Sequence, residues 1–216
     1  MAAKNSIKIY RENSFYRIYN RGVEKRTIFQ DEQDFSVFLS CLKTYLSPKR
    51  DINLPVLLAD QSLSSKEKAM ATNEFFMKNY SDSVDLLCYS LMSNHFHLLI
   101  KQLATTMDLF MNSLGTRYVK YFNRKYKRVG PLFQGVYKAV LVDSEEQLLH
   151  LSRYIHLNSK TLPSSLPEYL GERYTSWVKP DLILNYFSKT NSNLSYQNFL
   201  GQGRDDSFIS QITIDD

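Results

Sequence analysis

The chain has 216 residues and a formal net charge of +5, from 27 Lys and Arg against 22 Asp and Glu. This length provides one sizeable core and argues against three or more domains, and the basic balance suits an anionic partner. Charged residues interrupt the first nineteen positions, and no apolar run approaches the roughly 18 residues that span a bilayer, so we expect a soluble protein without membrane segments. The two cysteines, Cys41 and Cys88, form no C-x-x-C motif, which disfavours a zinc ribbon or a disulfide framework and fits the cytoplasm.

The first third of the chain predicts one strand, one helix and an insertion. Residues 15–20 are aromatic and β-branched and precede Arg21-Gly22, which predicts a strand that ends in a turn. From Asp31 onward apolar side chains recur at helical spacing until Pro48, which predicts an amphipathic helix. Residues 49–82 are polar with little periodicity, so we expect an insertion with at most a short helix near its end.

The middle of the chain predicts a hairpin followed by a long basic helix. Residues 84–92 and 95–101 predict the second and third strands, joined by a tight turn at Ser93-Asn94. Thr105 and Thr106 precede a long helical pattern that ends before Gly130. Its last turns, residues 117–128, interleave cations with four aromatic side chains. This pattern is typical both of a nucleic-acid surface and of a solvated helix face with aromatic core contacts, and the sequence alone does not separate the two.

A fourth strand and one further helix complete the pattern. Residues 137–142 predict the strand, and Asp143 or Ser144 caps the helix, because Gln147 stands where a capping box places it. With about 100° of rotation per residue, Tyr154 and Asn158 lie one above the other on the flank of the apolar stripe. A tyrosine and an amide thus share one side of this helix.

The order of the predicted elements indicates the fold class. Strand, helix, strand, strand, helix, strand is typical of the ferredoxin-like fold, so we predict an α+β protein: an antiparallel sheet with helices on one face, followed by a tyrosine-bearing helix. We expect a catalytic domain at residues 1–160 and a partly helical C-terminal extension at 161–216. The last residues of that extension are polar and acidic, which predicts a disordered tail.

The two histidines at the start of the third strand suggest a metal site. His95 and His97 flank Phe96, and alternation along a strand places both imidazoles on one face. A divalent metal ion would explain this arrangement. A pair of partly exposed or hydrogen-bonded core histidines would explain it too, and the H-x-H spacing by itself favours that interpretation.

Three ordered blocks carry a resemblance to a known family: NHFHLL at residues 94–99, GPLFQG at 130–135 and RYIHLN at 153–158. Together they resemble the IS200-like single-tyrosine transposases of the HUH superfamily, and among these the REP-associated tyrosine transposases. The resemblance covers roughly residues 15–158. It implies a metal-dependent endonuclease and strand transferase that acts on hairpin-bearing, single-stranded repeat DNA through a 5′-phosphotyrosine intermediate.

Carried over position by position, the resemblance implies a divided site. His95, His97 and Asn158 would bind Mg²⁺ or Mn²⁺, and Tyr154 would be the nucleophile. We therefore expect Tyr154 and Asn158 to approach the exposed face of the two histidines, within one chain or across a dimer, with a monomer favoured. His150 and His156 match no ligand position and are expected to be structural or solvent-facing.

Basic side chains are expected to hold the DNA backbone, because cations contact phosphate without reading sequence. The candidates are Arg21, Arg117, Lys120, Arg124, Lys127, Arg128 and Lys138.

Two features depart from the family pattern, and two alternative functions stay open. The tyrosine helix continues into Ser159 and Lys160, where the family commonly has Asn-Pro and a loop of small residues, and the insertion is longer than expected; both bear on substrate choice. One alternative is a non-catalytic DNA-binding regulator on the same fold, which the intact set of site residues disfavours. The other is a zinc hydrolase, disfavoured because no further Cys, Asp or Glu lies at a ligand spacing.

Overall fold

Four strands of the computed structural model, which describes residues 10–159, 161–202, 207 and 209, form one antiparallel sheet. They are β1 (Ser14–Arg21), β2 (Val84–Met92), β3 (His95–Gln102) and β4 (Lys138–Val142). Their order is β2-β3-β1-β4, and each neighbouring pair is antiparallel. With one helical connection between β1 and β2 and another between β3 and β4, this is the ferredoxin-like arrangement, so the predicted fold class is confirmed.

The described residues also form eight α-helices and two short 3₁₀ turns. The turns are Val23–Lys25 and Ser192–Leu194. The helices are α1 (Glu32–Leu46), α2 (Leu54–Ala59), α3 (Ser65–Phe76), α4 (Met107–Lys125), α5 (Glu145–Ser159), α6 (Leu166–Tyr169), α7 (Asp181–Leu184) and α8 (Tyr196–Gly201).

One face of the sheet, called the helix face below, is covered by α1 and α4. Apolar side chains alternate along the strands and meet the apolar stripes of these two helices in one continuous core. Aromatic rings dominate the contact: Phe38 of α1 packs against Phe96 of β3 at 5.1 Å between centroids and against Tyr118 of α4 at the same distance. The two connecting helices therefore lie on one face, as predicted.

The opposite face, called the site face below, carries His95 and His97 and is covered by α5 together with the C-terminal extension. Leu151 and Ile155 of α5 are fully buried in a second core with Leu99 of β3 and Tyr196 of α8. Complete burial of an aliphatic side chain of this size contributes roughly 1.5–3 kcal/mol. Helices thus cover both faces of the sheet, which is why β2 and β3 are nearly continuously apolar and buried.

The insertion at residues 49–82 is more helical than the sequence reading predicted. Residues 60–68 show little helical periodicity, yet α3 begins there with a complete capping box. The Ser64 hydroxyl accepts from the Glu67 N–H, and the Glu67 carboxylate accepts from the Ser64 N–H at 2.8 Å. The S-x-x-E motif was visible in the sequence and would have identified this helix.

The C-terminal extension packs on the same body as the sheet. The Leu91 N–H donates to the Pro163 carbonyl at 2.9 Å, so the extension pairs with the outer edge of β2. Trp177 stacks on Tyr89 of β2 at 5.6 Å. The predicted disordered tail lies mostly outside the described residues, although Ile209 is buried in the second core.

The described residues contain no helix that is both long enough and apolar enough to cross a membrane.

Candidate active site

Strand β3 presents the two histidines side by side on the site face. Their ring centroids lie 4.9 Å apart, with the ring planes at 77°. His97 is fully buried and pairs with Tyr19 of β1 and Ser90 of β2, whereas His95 is half-buried at the end of the strand, beside Arg21. Alternation along β3, together with pairing on both sides, therefore fixes the two imidazoles in one place, as the sequence predicted.

Helix α5 brings Tyr154 to these histidines within the same chain. The Tyr154 ring centroid lies 6.0 Å from that of His97, edge to face. Asn158 follows one turn later on the same flank, and both side chains are half-buried. The predicted approach of Tyr154 to the histidines is therefore present within one chain.

The start of α5 is held much as the capping pattern indicated. The Gln147 N–H donates to the Ser144 hydroxyl oxygen at 3.2 Å, so Ser144 is the N-cap. The Gln147 side chain accepts from the Asp143 N–H at 3.0 Å, one residue earlier than in a standard capping box. This cap and the buried aliphatic stripe set the register that points Tyr154 at β3.

Asn94 orients His95. The Asn94 amide nitrogen donates to the Lys25 carbonyl at 3.2 Å, which directs the amide oxygen to His95 Nδ1 at 2.6 Å. Because an amide oxygen only accepts, Nδ1 carries the proton and donates it, which leaves Nε2 as the acceptor nitrogen. A histidine that binds a metal ion through Nε2 has this tautomer and this kind of partner.

Arg17 is a site residue that sequence reasoning missed. It is fully buried on β1, with Nη2 at 3.4 Å from His97 Nδ1. Its guanidinium carbon lies 4.3 Å from the Tyr19 ring centroid and 5.6 Å from that of Tyr154. The sequence did hold a signal, because alternation places Arg17 on the same face as Tyr19 and Arg21, in the middle of an otherwise apolar strand.

His156 is structural, as expected. It is buried on α5, with Nδ1 at 2.8 Å from the Tyr196 hydroxyl and Nε2 at 2.9 Å from the Ser165 hydroxyl. Ser152 donates to the Leu149 carbonyl, so Tyr196 donates to Ser152 and accepts from a neutral His156. Burial lowers the pKa of His156 to about 3, in agreement with a neutral ring.

His150 contacts Arg153 on its own helix and Phe199 of α8. Its Nδ1 lies 3.0 Å from Arg153 Nη2, and its ring packs edge to face on Phe199 at 5.4 Å. It therefore helps to dock α8 on α5.

The donor set suits a weakly held divalent cation. His95, His97 and Asn158 offer two imidazole nitrogens and one amide oxygen, a set that Mg²⁺ or Mn²⁺ completes with water and phosphate oxygens. The tautomer of His95 already fits such an ion. Beside His97, the buried hydroxyl of Ser90 makes no hydrogen bond to the protein, as expected of a polar group next to a ligand site. Among the described residues no three His, Cys, Asp or Glu side chains come together in a group that could hold a metal ion.

The seven predicted DNA-contacting cations separate into two groups. Arg21 pairs with His95, and Lys138 pairs with Tyr19 beside His97, so both lie on the site face. The other five belong to α4 and the turn after it, across the sheet, although the C-terminal end of α4 lies at the same end of the sheet as His95. Three of these five are exposed: Lys120, Arg124 and Lys127.

The remaining two cations of the basic helix have neighbours within the protein. The Arg117 guanidinium lies 5.6 Å from the Tyr45 ring centroid, and Arg128 donates to the Asn123 side chain at 3.0 Å.

The aromatic side chains of the basic helix serve the fold. Tyr118 and Phe122 are fully buried, and the hydroxyls of Tyr121 and Tyr126 each donate to the Asp34 carboxylate at 2.9 Å. For the aromatics, the core interpretation is therefore the one that the structure supports. Exposed cations without exposed aromatics can hold phosphates, but they do not stack bases.

Comparison with known proteins supports the resemblance that the sequence motifs indicated. Residues 62–158 match the family model described as "Transposase IS200 like". No curated protein matches the chain.

Two solved structures share parts of the architecture. One is a REP-associated tyrosine transposase bound to a REP hairpin, with 10% sequence identity over 89% of this chain and 96% of that chain and a TM-score of 0.49. The other is tRNA(His) guanylyltransferase from Saccharomyces cerevisiae, with 11% identity over 89% of this chain and 78% of that chain and a TM-score of 0.33. At these scores neither likeness bears on function.

The matched segment begins in the insertion and ends at Asn158, so it includes both histidines and the tyrosine. Residues 62–158, somewhat less than half of the chain, are therefore similar to the IS200-like transposase family.

Proposed function

We propose that this chain cuts and rejoins single-stranded DNA by transesterification through Tyr154. The observation that carries the proposal is the 6.0 Å approach of the Tyr154 ring to His97, whose partner His95 lies 4.9 Å away. A phenol and two imidazoles thus come together in one chain, with the Asn158 amide one helical turn after the phenol, on a segment that matches the model of a transposase family.

Neither covalent step needs an external energy source, because one phosphorus–oxygen bond forms as another breaks. The Tyr154 oxygen forms a bond to the scissile phosphorus while the bond from phosphorus to the 3′-oxygen breaks, and the phenol proton leaves with that oxygen as a 3′-hydroxyl. The 5′-phosphotyrosine ester conserves the energy of the phosphodiester. A 3′-hydroxyl from another strand reverses the step on a new partner.

The residues of the site have different roles in the proposed reaction. Tyrosine has a pKa near 10 and attacks a phosphodiester poorly unless the developing charge is stabilised. A Mg²⁺ or Mn²⁺ ion held by His95, His97 and Asn158 would supply that stabilisation and align the phosphate. Asn94 keeps His95 in the ligand tautomer, and the cap and core contacts of α5 keep the phenol on the site face.

The substrate proposed is hairpin-bearing, single-stranded repeat DNA, bound by a monomer. The substrate class rests on the family motifs, and the monomer on the fact that one chain supplies both halves of the site. Arg21 and Lys138 would contact the backbone next to the scissile phosphate, while Lys120, Arg124 and Lys127 would hold a more distant part of the strand.

The test is trapping of the covalent intermediate. Labelled single-stranded hairpin DNA is incubated with the protein and Mn²⁺, and a DNA-linked protein band is sought on a denaturing gel. Tyr154→Phe is expected to abolish the band while DNA affinity changes less than about twofold, because only the attacking oxygen is lost. Tyr174→Phe is the matched control, because Tyr174 is 91% exposed and lines a surface pocket with Asp85, which pairs with Lys101 at the other end of β3 from His95. This variant should form the adduct normally.

Two results would contradict the proposal. An adduct that persists in Tyr154→Phe would assign the nucleophile elsewhere. Tight binding of hairpin DNA without any adduct would favour the non-catalytic regulator.

A further inference from the structure

The two histidines of the site are held in opposite ways. His95 donates from Nδ1 to the Asn94 oxygen at 2.6 Å, whereas His97 meets the Arg17 guanidinium with the same nitrogen at 3.4 Å. An arginine side chain only donates hydrogen bonds and stays protonated at any working pH. Nδ1 of His97 therefore accepts, and the proton of the neutral ring sits on Nε2.

This arrangement conflicts with a metal ion on His97. A ligand histidine directs the lone pair of one nitrogen at the metal and donates from the other nitrogen to an acceptor. If His97 binds through Nδ1, the lone pair that now faces Arg17 is taken by the metal. If it binds through Nε2, the proton must move to Nδ1, and two donors then face each other. In both cases the contact with Arg17 is lost.

Burial strengthens the conflict. Arg17 and His97 are both fully buried, so little water screens the repulsion between a guanidinium and a divalent cation placed beside it. The ring centroids of Tyr19 and Tyr154 lie 4.3 and 5.6 Å from the guanidinium carbon, so aromatic neighbours are at hand for the guanidinium when it leaves Nδ1.

We propose that Arg17 is a positioning residue that holds His97 in the metal-free protein and competes with the divalent cation for it. The Arg17–His97 contact and metal binding by His97 exclude each other, so metal affinity is set in part by the cost of displacing the guanidinium. This inference rests on the metal role of His97 in the proposed function.

The first test is the affinity for Mn²⁺, measured by the electron paramagnetic resonance signal of the free ion without DNA. Arg17→Met keeps most of the side-chain volume and removes the donors, and it is expected to bind Mn²⁺ about fivefold to tenfold more tightly than wild type, the equivalent of one long charged hydrogen bond. Arg17→Lys keeps the positive charge but lacks the planar guanidinium, so its affinity for Mn²⁺ should rise less than that of Arg17→Met.

A matched control separates the contact from the loss of one positive charge. Lys101 lies on the same face of β3 as His97, four residues further along, roughly 13 Å away at the usual strand rise. Lys101→Met removes one charge without touching His97 and should leave Mn²⁺ affinity within about twofold of wild type.

The second test uses the wild-type protein and remains decisive should Arg17→Met not fold. With ¹⁵N-labelled protein, saturation with Mg²⁺ should change the His97 Nδ1 resonance and the Arg17 Nη resonances together. A change at His97 with Arg17 unaffected would overturn the proposal.

The outcomes separate this inference from the proposed function. If folded Arg17→Met binds Mn²⁺ as wild type does, or more weakly as loss of a merely structural residue would cause, the inference fails and the metal site stands. If His97→Ala does not weaken Mn²⁺ binding, the metal role of His97 fails, and this inference fails with it.

Discussion

Single residues of this protein acquire their roles from the partners that surround them. His95, His97 and His156 have the same side chain but different partners. His95 donates to an amide oxygen, His97 accepts from a guanidinium, and the neutral His156 lies between the hydroxyls of Tyr196 and Ser165. Only the partner decides which nitrogen carries the proton. The surroundings of a glycine likewise decide whether a larger residue can replace it.

Gly22 is a residue whose replacement should destabilise the fold. A Cβ atom at Gly22 would lie 2.2 Å from the Arg26 carbonyl oxygen and 2.8 Å from the Ile28 side chain. Since the first neighbour is backbone, Gly22→Ala is expected to lower the free energy of unfolding by about 1–3 kcal/mol. Urea unfolding followed by circular dichroism measures this value.

Gly115 provides the control for that substitution. It lies inside α4, where an added Cβ meets nothing within 4 Å. Gly115→Ala should therefore stabilise the protein by up to about 1 kcal/mol, because alanine has the better helix propensity. Equal effects of the two substitutions would show that the close approach at Gly22 is not the cause.

At the scale of elements, α1 and α4 are tied together by one buried carboxylate. Asp34 in the first turn of α1 accepts from Lys125 at 2.8 Å and from the Tyr121 and Tyr126 hydroxyls in and just after the last turn of α4. Burial opposes ionisation, but these bonds, together with the Gln30 N–H, hold the pKa of Asp34 below its usual value. Lys125 of the basic helix therefore stabilises the fold by pairing with Asp34.

Asp34→Asn is expected to destabilise the protein by about 1–3 kcal/mol at pH 7, because several donors lose their charged acceptor. The folded-state pKa is depressed, so this contribution is fully present above the unfolded value near 4 and is lost as the pH falls through the lower, folded value. The wild-type advantage should therefore shrink below about pH 4 in urea titrations.

Glu32→Gln is the control for that experiment, because it removes an exposed acid from the same helix turn. Its effect should stay within about 0.5 kcal/mol. An Asp34→Asn difference that persists undiminished at pH 2 would contradict the electrostatic explanation.

At the scale of the whole molecule, the sheet separates the predicted DNA-contacting cations, which the sequence presented as one set, into two surfaces. The site, Arg21 and Lys138 lie on one face, whereas α4 lies on the other and approaches the site only at its C-terminal end. A DNA strand that uses both groups of cations must therefore pass around the end of the sheet that carries His95.

Salt dependence of DNA binding tests this division. Arg21→Gln and Lys138→Gln should each weaken binding of single-stranded DNA and reduce the slope of log affinity against log salt by about 0.7. Arg117→Gln should change the slope less, because its guanidinium packs on Tyr45. Equal slopes for all three variants would show that Arg117 contacts DNA as Arg21 and Lys138 do, in spite of its packing on Tyr45.

The extension and the sheet should unfold together. Trp177, the one tryptophan of the chain, stacks on Tyr89 of β2, and the Arg173 guanidinium donates to the Tyr89 hydroxyl at 3.2 Å. Trp177 fluorescence and far-ultraviolet circular dichroism are therefore expected to give the same urea midpoint. A lower midpoint for fluorescence would show that residues after 160 form a separate unit.

Local patterns in the sequence determined most of the elements. Period-2 alternation, helical spacing and the turn at Ser93-Asn94 placed the strands and the main helices within about two residues, because these patterns depend on neighbours in the chain. The exception is the end of α4, which the pattern placed just before Gly130 and which lies at Lys125. The H-x-H spacing by itself suggested a metal site, whereas the roles expected of Tyr154 and Asn158 came from the resemblance of three sequence blocks to a known family. The one long helix that was missed, α3, begins with a local signal that was present at Ser64 and Glu67.

Tertiary structure alone decided how these elements face one another. Arg17 stands about 80 positions before His97, and no local pattern indicates that their side chains meet at 3.4 Å. The same holds for the ties from Asp34 to α4 and from Tyr196 to His156. The sequence determined which residues are candidates for the chemistry, because residue type and periodicity are local; the fold decided their partners, protonation and accessible face, because those depend on contacts between distant parts of the chain.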